Sequence, residues 1–143
     1  MNTRPQRITP KDSRPGELLK RAFDTTKKIK LKETGERDPV YLGMIRKLPC
    51  LSCTIEPCHC AAHVRRQSAA HGKKGCAQKK PADRWAVPLC NDHHIKQHQV
   101  GELKFWYDLN IEPLLVCTRL YAARGNLVIM RSIVFAARAG MLS

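Results

Sequence analysis

The chain is short of acidic residues, short of aromatics and without a long apolar run. No stretch of its 143 residues comes near the roughly 18 apolar residues of a spanning helix, which excludes a helical integral membrane protein. Met1 to Lys11 holds no apolar segment of the kind a secretory signal uses. The arginines there faintly suggest a transit peptide, but Asp12, Glu17 and Asp24 oppose one, so the expectation is a cytoplasmic protein. Internal repeats and low-complexity tracts are absent. An even disulfide framework is absent too: seven cysteines in a chain with no export signal point to metal or redox chemistry. Carboxylates number only 12 against 26 Lys+Arg, a formal net charge of +14. That excess resists compaction and suits a polyanionic partner, nucleic acid first and an anionic membrane surface second.

What is present is unevenly placed. Residues 1–40 carry eleven basic and six acidic side chains, with Pro5, Pro10 and Pro15 ahead of Gly16. Large apolar groups recur at helical spacing only at Leu18, Leu19, Ala22, Phe23 and Ile29. This segment reads as a basic, flexible N-terminal arm with one short helix, and residues 41–143 as the folded domain. Residues 41–100 hold ten basic and three acidic side chains, all six histidines, and Cys50, Cys53, Cys58, Cys60, Cys76 and Cys90. Packing gives no reason for such crowding, whereas metal coordination does. Downstream the composition is that of an ordinary globular domain. Helical spacing marks Leu103, Phe105, Trp106 and Leu109, then Pro113–Ala123 and Leu127–Ala139, with Pro113 and Gly125 as boundary signals.

The block that carries chemistry opens with a helical stripe, Leu42, Ile45 and Leu48, closed by Pro49. Cys50-Leu-Ser-Cys53 follows, and Cys90-Asn-Asp-His93 supplies a second half-site of the same spacing. Together they form a Cys3His set, a closed tetrahedral arrangement for structural zinc. Trp85 to Leu89 reads as a strand and His93 onward as a helix. On that helix His94 and His98 lie one above the other, while His93 is turned about 100° away. His93 can therefore complete the zinc site while His94 and His98 clamp a catalytic divalent ion. Between the half-sites, Cys58 to Arg66 reads as extended, with His59, Ala61, His63 and Arg65 on one face and Cys60, Ala62 and Val64 on the other. An imidazole beside a metal and a scissile phosphate is a natural general base, and Arg65 could hold a phosphate oxygen. Gln67 to Pro81 is a basic, glycine-bearing loop, suited to tracking a nucleic-acid backbone by charge. Cys58, Cys60, His71 and Cys76 could bind a second zinc and order that loop, or could include an active-site ligand.

The order C-x2-C, then Ala62-His63-Val64-Arg65, then Pro88-Leu89-Cys90-x2-His93-His94-x3-His98, resembles the HNH endonucleases. Lys80 to Cys90, His93, His94, His98, Gly101-Glu102 and Leu109 to Pro113 are most similar to the phage-encoded recombination-enhancement (Ref-type) nucleases. The resemblance spans roughly Tyr41 to Tyr121. It implies an α+β fold, a small zinc-stabilised ββα-metal core with flanking helices, and hydrolysis of DNA phosphodiester bonds with Mg2+ or Mn2+. It further implies His63 as general base, His94 and His98 as ligands of the catalytic ion, and Cys50, Cys53, Cys90 and His93 as ligands of structural zinc. Arg65, Arg66, Lys73, Lys74, Lys79, Lys80 and Arg84 become the DNA-facing residues. The expected setting is the cytoplasm of a bacterial or phage-infected cell, with DNA as partner, a recombinase filament as a candidate second partner, and no membrane.

Two positions depart from the family pattern. Ala62 stands where many members place a further metal ligand, and the middle Asn is missing, with Asp83 or Arg84 nearby instead. The third ligand is thus open between His59 and Cys60. Two other readings compete with the enzyme: a zinc-stabilised nucleic-acid-binding module without catalysis, and a redox-sensing cysteine-rich protein. The second of these is disfavoured by the zinc spacing of the thiols.

Overall fold

A computed structural model describes residues 36–75 and 80–142. The chain divides into two units, residues 1–31 and residues 32–143, and every described residue belongs to the second. The first 35 residues of the basic arm, its candidate helix, and Cys76 and Lys79 lie outside the described residues. The architecture is α+β: among the described residues, five α-helices surround one two-stranded antiparallel sheet.

Helix α1 is Pro39–Ile45. Asp38 caps it by accepting from the Tyr41 amide at 2.9 Å, and Pro39 fits the first turn because its missing N–H would have no partner there. Residues 36–40 are therefore part of this body, upstream of the Tyr41 at which the sequence reading starts the domain. The apolar stripe falls as expected, with Tyr41, Leu42, Ile45 and Leu48 all buried.

Strands β1, Cys60–His63, and β2, Ala86–Leu89, pair with Cys60 opposite Leu89 and His63 opposite Ala86. The strand period turns Ala62 and Val64 inward, both fully buried, and leaves Ala61 and His63 partly exposed. His59 departs from the expected face: it takes φ +63° and stays outside the strand. Trp85 also lies outside β2. It closes a single 3-10 turn, Asp83–Trp85, whose geometry turns Asp83 into the interior.

Helices α2, Asn91–Val100, and α3, Glu102–Leu109, meet at Gly101, whose φ of +92° a side chain would strain. Helix α4, Pro113–Ala122, is capped by Glu112, and α5, Leu127–Arg138, by Asn126. Both match the boundaries read from Pro113 and Gly125 to within a residue. Val87 and Leu89 on β2, Leu114, Cys117 and Leu120 on α4, and Met130 and Val134 on α5 belong to one buried core with α1. Each such fully buried aliphatic contributes about 1.5–3 kcal/mol relative to exposure. Helix α2 contributes almost nothing to that core. Gln97 is its one buried residue, so its position depends on what holds its two ends. No helix among the described residues is long and apolar enough to cross a membrane.

Candidate metal centre and histidine site

At the N-terminus of α2 four residues converge. The ligand atoms of Cys50, Cys53, Cys90 and His93 all lie within 4.8 Å of one another. Cys53 Sγ is 3.8 Å from Cys90 Sγ, Cys50 Sγ is 3.8 Å from His93 Nδ1, and Cys90 Sγ is 3.0 Å from His93 Nδ1. Sulfurs held at about 2.3 Å around a tetrahedral ion stand roughly 3.8 Å apart, so the set could hold an ion such as zinc. The amides of Ser52 and Cys90 both donate to Cys50 Sγ, at 3.4 and 3.2 Å, as suits a thiolate. Burial pushes the metal-free Cys50 thiol up to about 11, against those amide hydrogen bonds. The Leu51 amide donates to Pro88 O at 3.0 Å and so ties the first half-site to β2.

One turn along α2, the His94 and His98 rings lie side by side, tilted 38° to one another, with centroids 4.9 Å apart and Nε2 atoms 3.2 Å apart. Two ligands held at about 2.1 Å by one ion, at 90–110°, stand roughly 3.0–3.4 Å apart, a range that includes this spacing. The His94 pKa is lowered, first by burial and then by the neighbouring His98 and His63. The neutral imidazole, the form that ligates a metal, is favoured there. His93 belongs to the cysteine cluster while His94 and His98 form a pair of their own.

His63, at the end of β1, has a side chain 12% exposed and places Nε2 2.9 Å from Asp83 Oδ1. Burial lowers its pKa, as do the charges of Lys80 and Arg37, whereas the Asp83 hydrogen bond opposes the shift. Asp83 itself is 1% exposed. Burial alone would raise its pKa, but hydrogen bonds from His63, the Asp38 amide and Arg37 outweigh that and lower it. A charged carboxylate can only accept, an arrangement that favours the proton on His63 Nε2 and the lone pair on Nδ1. Sequence reasoning missed this partner. The one available signal was an acid beside the strand, where the resembled family carries Asn.

Of the candidate second-zinc residues Cys58, Cys60, His71 and Cys76, the last lies outside the described residues. Among the described residues, Cys58, Cys60 and His71 form no metal-sized cluster. Cys58 Sγ instead donates toward the carbonyls of Ile45, Arg46 and Cys60, and burial pushes its thiol up to about 12. His71 Nδ1 lies 3.0 Å from Ser68 Oγ.

The basic residues divide. Arg65, Lys74, Lys80 and Arg84 are exposed. Arg84 lies over the rings of Trp85 and Tyr121, at 4.9 and 5.2 Å, an arrangement favourable to a cation. Arg66 pairs with Glu112, and the Arg65 and Arg66 amides donate to the Glu102 carboxylate, which fixes this stretch against α3. Lys73 turns inward. The Ser68–Lys73 bridge buries it, and its Nζ donates to Arg65 O and Arg66 O at 3.1 and 2.7 Å. Its role is to brace the chain that carries Arg65.

Compared with protein-family models, with curated proteins and with solved structures, the chain matches none.

Proposed function

We propose that this chain is a metal-dependent DNA endonuclease of the HNH type. The observations that carry the reading are His63 at the end of β1, its Nε2 2.9 Å from Asp83, and the 3.2 Å His94/His98 pair on the helix that follows β2, near enough for His63 to act on His94 electrostatically. The order β1, β2, α2 matches the ββα element the resemblance implies. The Cys3His cluster would hold zinc and pin the N-terminus of α2, which has little apolar packing of its own.

His94 and His98 would hold Mg2+ or Mn2+, which when bound stabilises the developing charge and the leaving oxygen. His63 Nδ1 would take the proton of the water that attacks phosphorus, and Nε2–H would remain on Asp83. Arg65, Lys74, Lys80 and Arg84 would meet the phosphate backbone, Lys73 acting behind them as a brace. A recombinase filament is the candidate second partner that the resemblance implies.

Exchange of His98 for alanine tests the division of labour. His98→Ala should retain one equivalent of zinc and its thermal transition, lose cleavage, and recover part of it at raised Mn2+. Loss of the zinc on this substitution would contradict the assignment. The pH profile supplies a second check. The base works only when neutral and its pKa is lowered, so the acid limb of kcat/KM should fall below 6.5, the ordinary histidine value. An acid limb above 6.5 would argue against His63 as the base.

A further inference from the structure

Asp83 is held from three directions. Its Oδ1 accepts from Arg37 Nη1 at 3.0 Å and faces His63 Nε2 at 2.9 Å, and its Oδ2 accepts from the Asp38 amide at 2.9 Å. A fourth contact closes the loop between the two segments, with the Asp83 amide donating to Glu36 O at 2.9 Å. Arg37 also reaches Pro81 O at 3.4 Å. A carboxylate this deeply buried would otherwise tend to take up a proton, and these donors keep it charged. Protonated, it could offer His63 a hydrogen and reverse the direction of their bond.

We propose that Asp83 is a positioning residue that fixes the tautomer of His63, and that residues 36–38 complete the site by holding Asp83 charged and aimed. The inference deepens the nuclease reading and rests on His63 being the base. It makes the segment that joins the basic N-terminal stretch to α1 a working part of the centre. The charged groups that act on His63 are Asp83, Lys80 and Arg37, and His63 in turn acts on His94 of α2.

Asn at position 83 cannot replace the carboxylate. In one amide orientation its NH2 opposes the Asp38 amide. In the other it opposes Arg37 and donates to His63, which forces the proton onto Nδ1. Nitrogen-15 NMR of the His63 ring in zinc-loaded full-length protein near pH 8 tests the proposal without DNA. Wild type should show Nε2 protonated and Nδ1 bare, and Asp83→Ala should show a mixture of tautomers. Asp83→Asn should lower kcat by about 10²-fold or more with little change in KM, the scale of a mis-set general base. Arg37→Gln, at an exposed site, should lower kcat less and move the acid limb to higher pH, because a cation near His63 is gone. Arg37→Lys should restore that limb in part.

A wild-type spectrum with the proton on Nδ1 would overturn the proposal even if Asp83→Ala does not fold, since a carboxylate cannot donate to Nε2. An unchanged tautomer in Asp83→Ala would overturn it equally. Absence of cleavage by wild type would sink the nuclease reading but leave the tautomer result to decide this one.

Discussion

Removing zinc from the purified chain is expected to unfold the Cys50–Cys53 knuckle and helix α2 and to destabilise the rest of the described body. Structural zinc sites bring about 10–16 kcal/mol of apparent binding free energy in small zinc-finger peptides. A whole domain of this size is stable by only about 5–15 kcal/mol. The core of α1, β2, α4 and α5 would keep some structure, but the knuckle at Cys50–Cys53 and helix α2 have little else to hold them, since α2 buries only Gln97. A zinc-selective chelator should therefore lower the helical circular dichroism and the thermal transition together. Acid should act in the same direction. The metal-free Cys50 thiol is pushed up to about 11 by burial, so binding must displace its proton, and zinc affinity falls as pH falls. A thermal transition untouched by chelation would show that the cluster is not a folding site.

The second large effect is expected at His63. His63→Ala should lower the cleavage rate by about 10²–10⁴-fold, the usual contribution of a general base, while zinc content stays at one equivalent. Its side chain is 12% exposed and partners the buried Asp83 carboxylate, so the thermal transition should fall as well, and the rates are to be compared below both transitions. Raised Mn2+ should not rescue it, in contrast to His98→Ala, because the missing group acts on water and not on the ion. Cleavage by His63→Ala at the wild-type rate would remove the base from the mechanism.

The parts of the site that are local in sequence were legible there. Cys50/Cys53 and Cys90/His93 each span one turn, and His94 and His98 are one helical repeat apart, so spacing alone groups them. The capping residues told as much about the helices: Pro113, and Gly125 beyond the next helix end, place α4 and α5 to within a residue. Contacts made across the fold were not legible. Asp83 meets partners 20, 45 and 46 positions away, and only the 3-10 turn at Asp83–Trp85 aims it inward.

Lys73 shows the opposite failure. A lysine in a basic, glycine-bearing loop reads as a solvated phosphate contact, yet the Ser68–Lys73 bridge turns it onto two backbone carbonyls. Cys58 is a related case. Its neighbourhood with Cys60 suggests a shared ion, but the chain bends at His59 and leaves the thiol facing the carbonyls that end α1.

The proposed activity is cleavage of DNA by His63, His94 and His98 with a divalent ion. The most direct measurement is conversion of supercoiled plasmid by zinc-loaded full-length protein, with Mn2+ or Mg2+ added and with neither. Nicked or linear product is expected only when the ion is added, and none from His63→Ala at equal concentration. Plasmid that stays supercoiled with either ion, under conditions where the protein is folded and binds the DNA, would contradict it and leave a zinc-stabilised binding module.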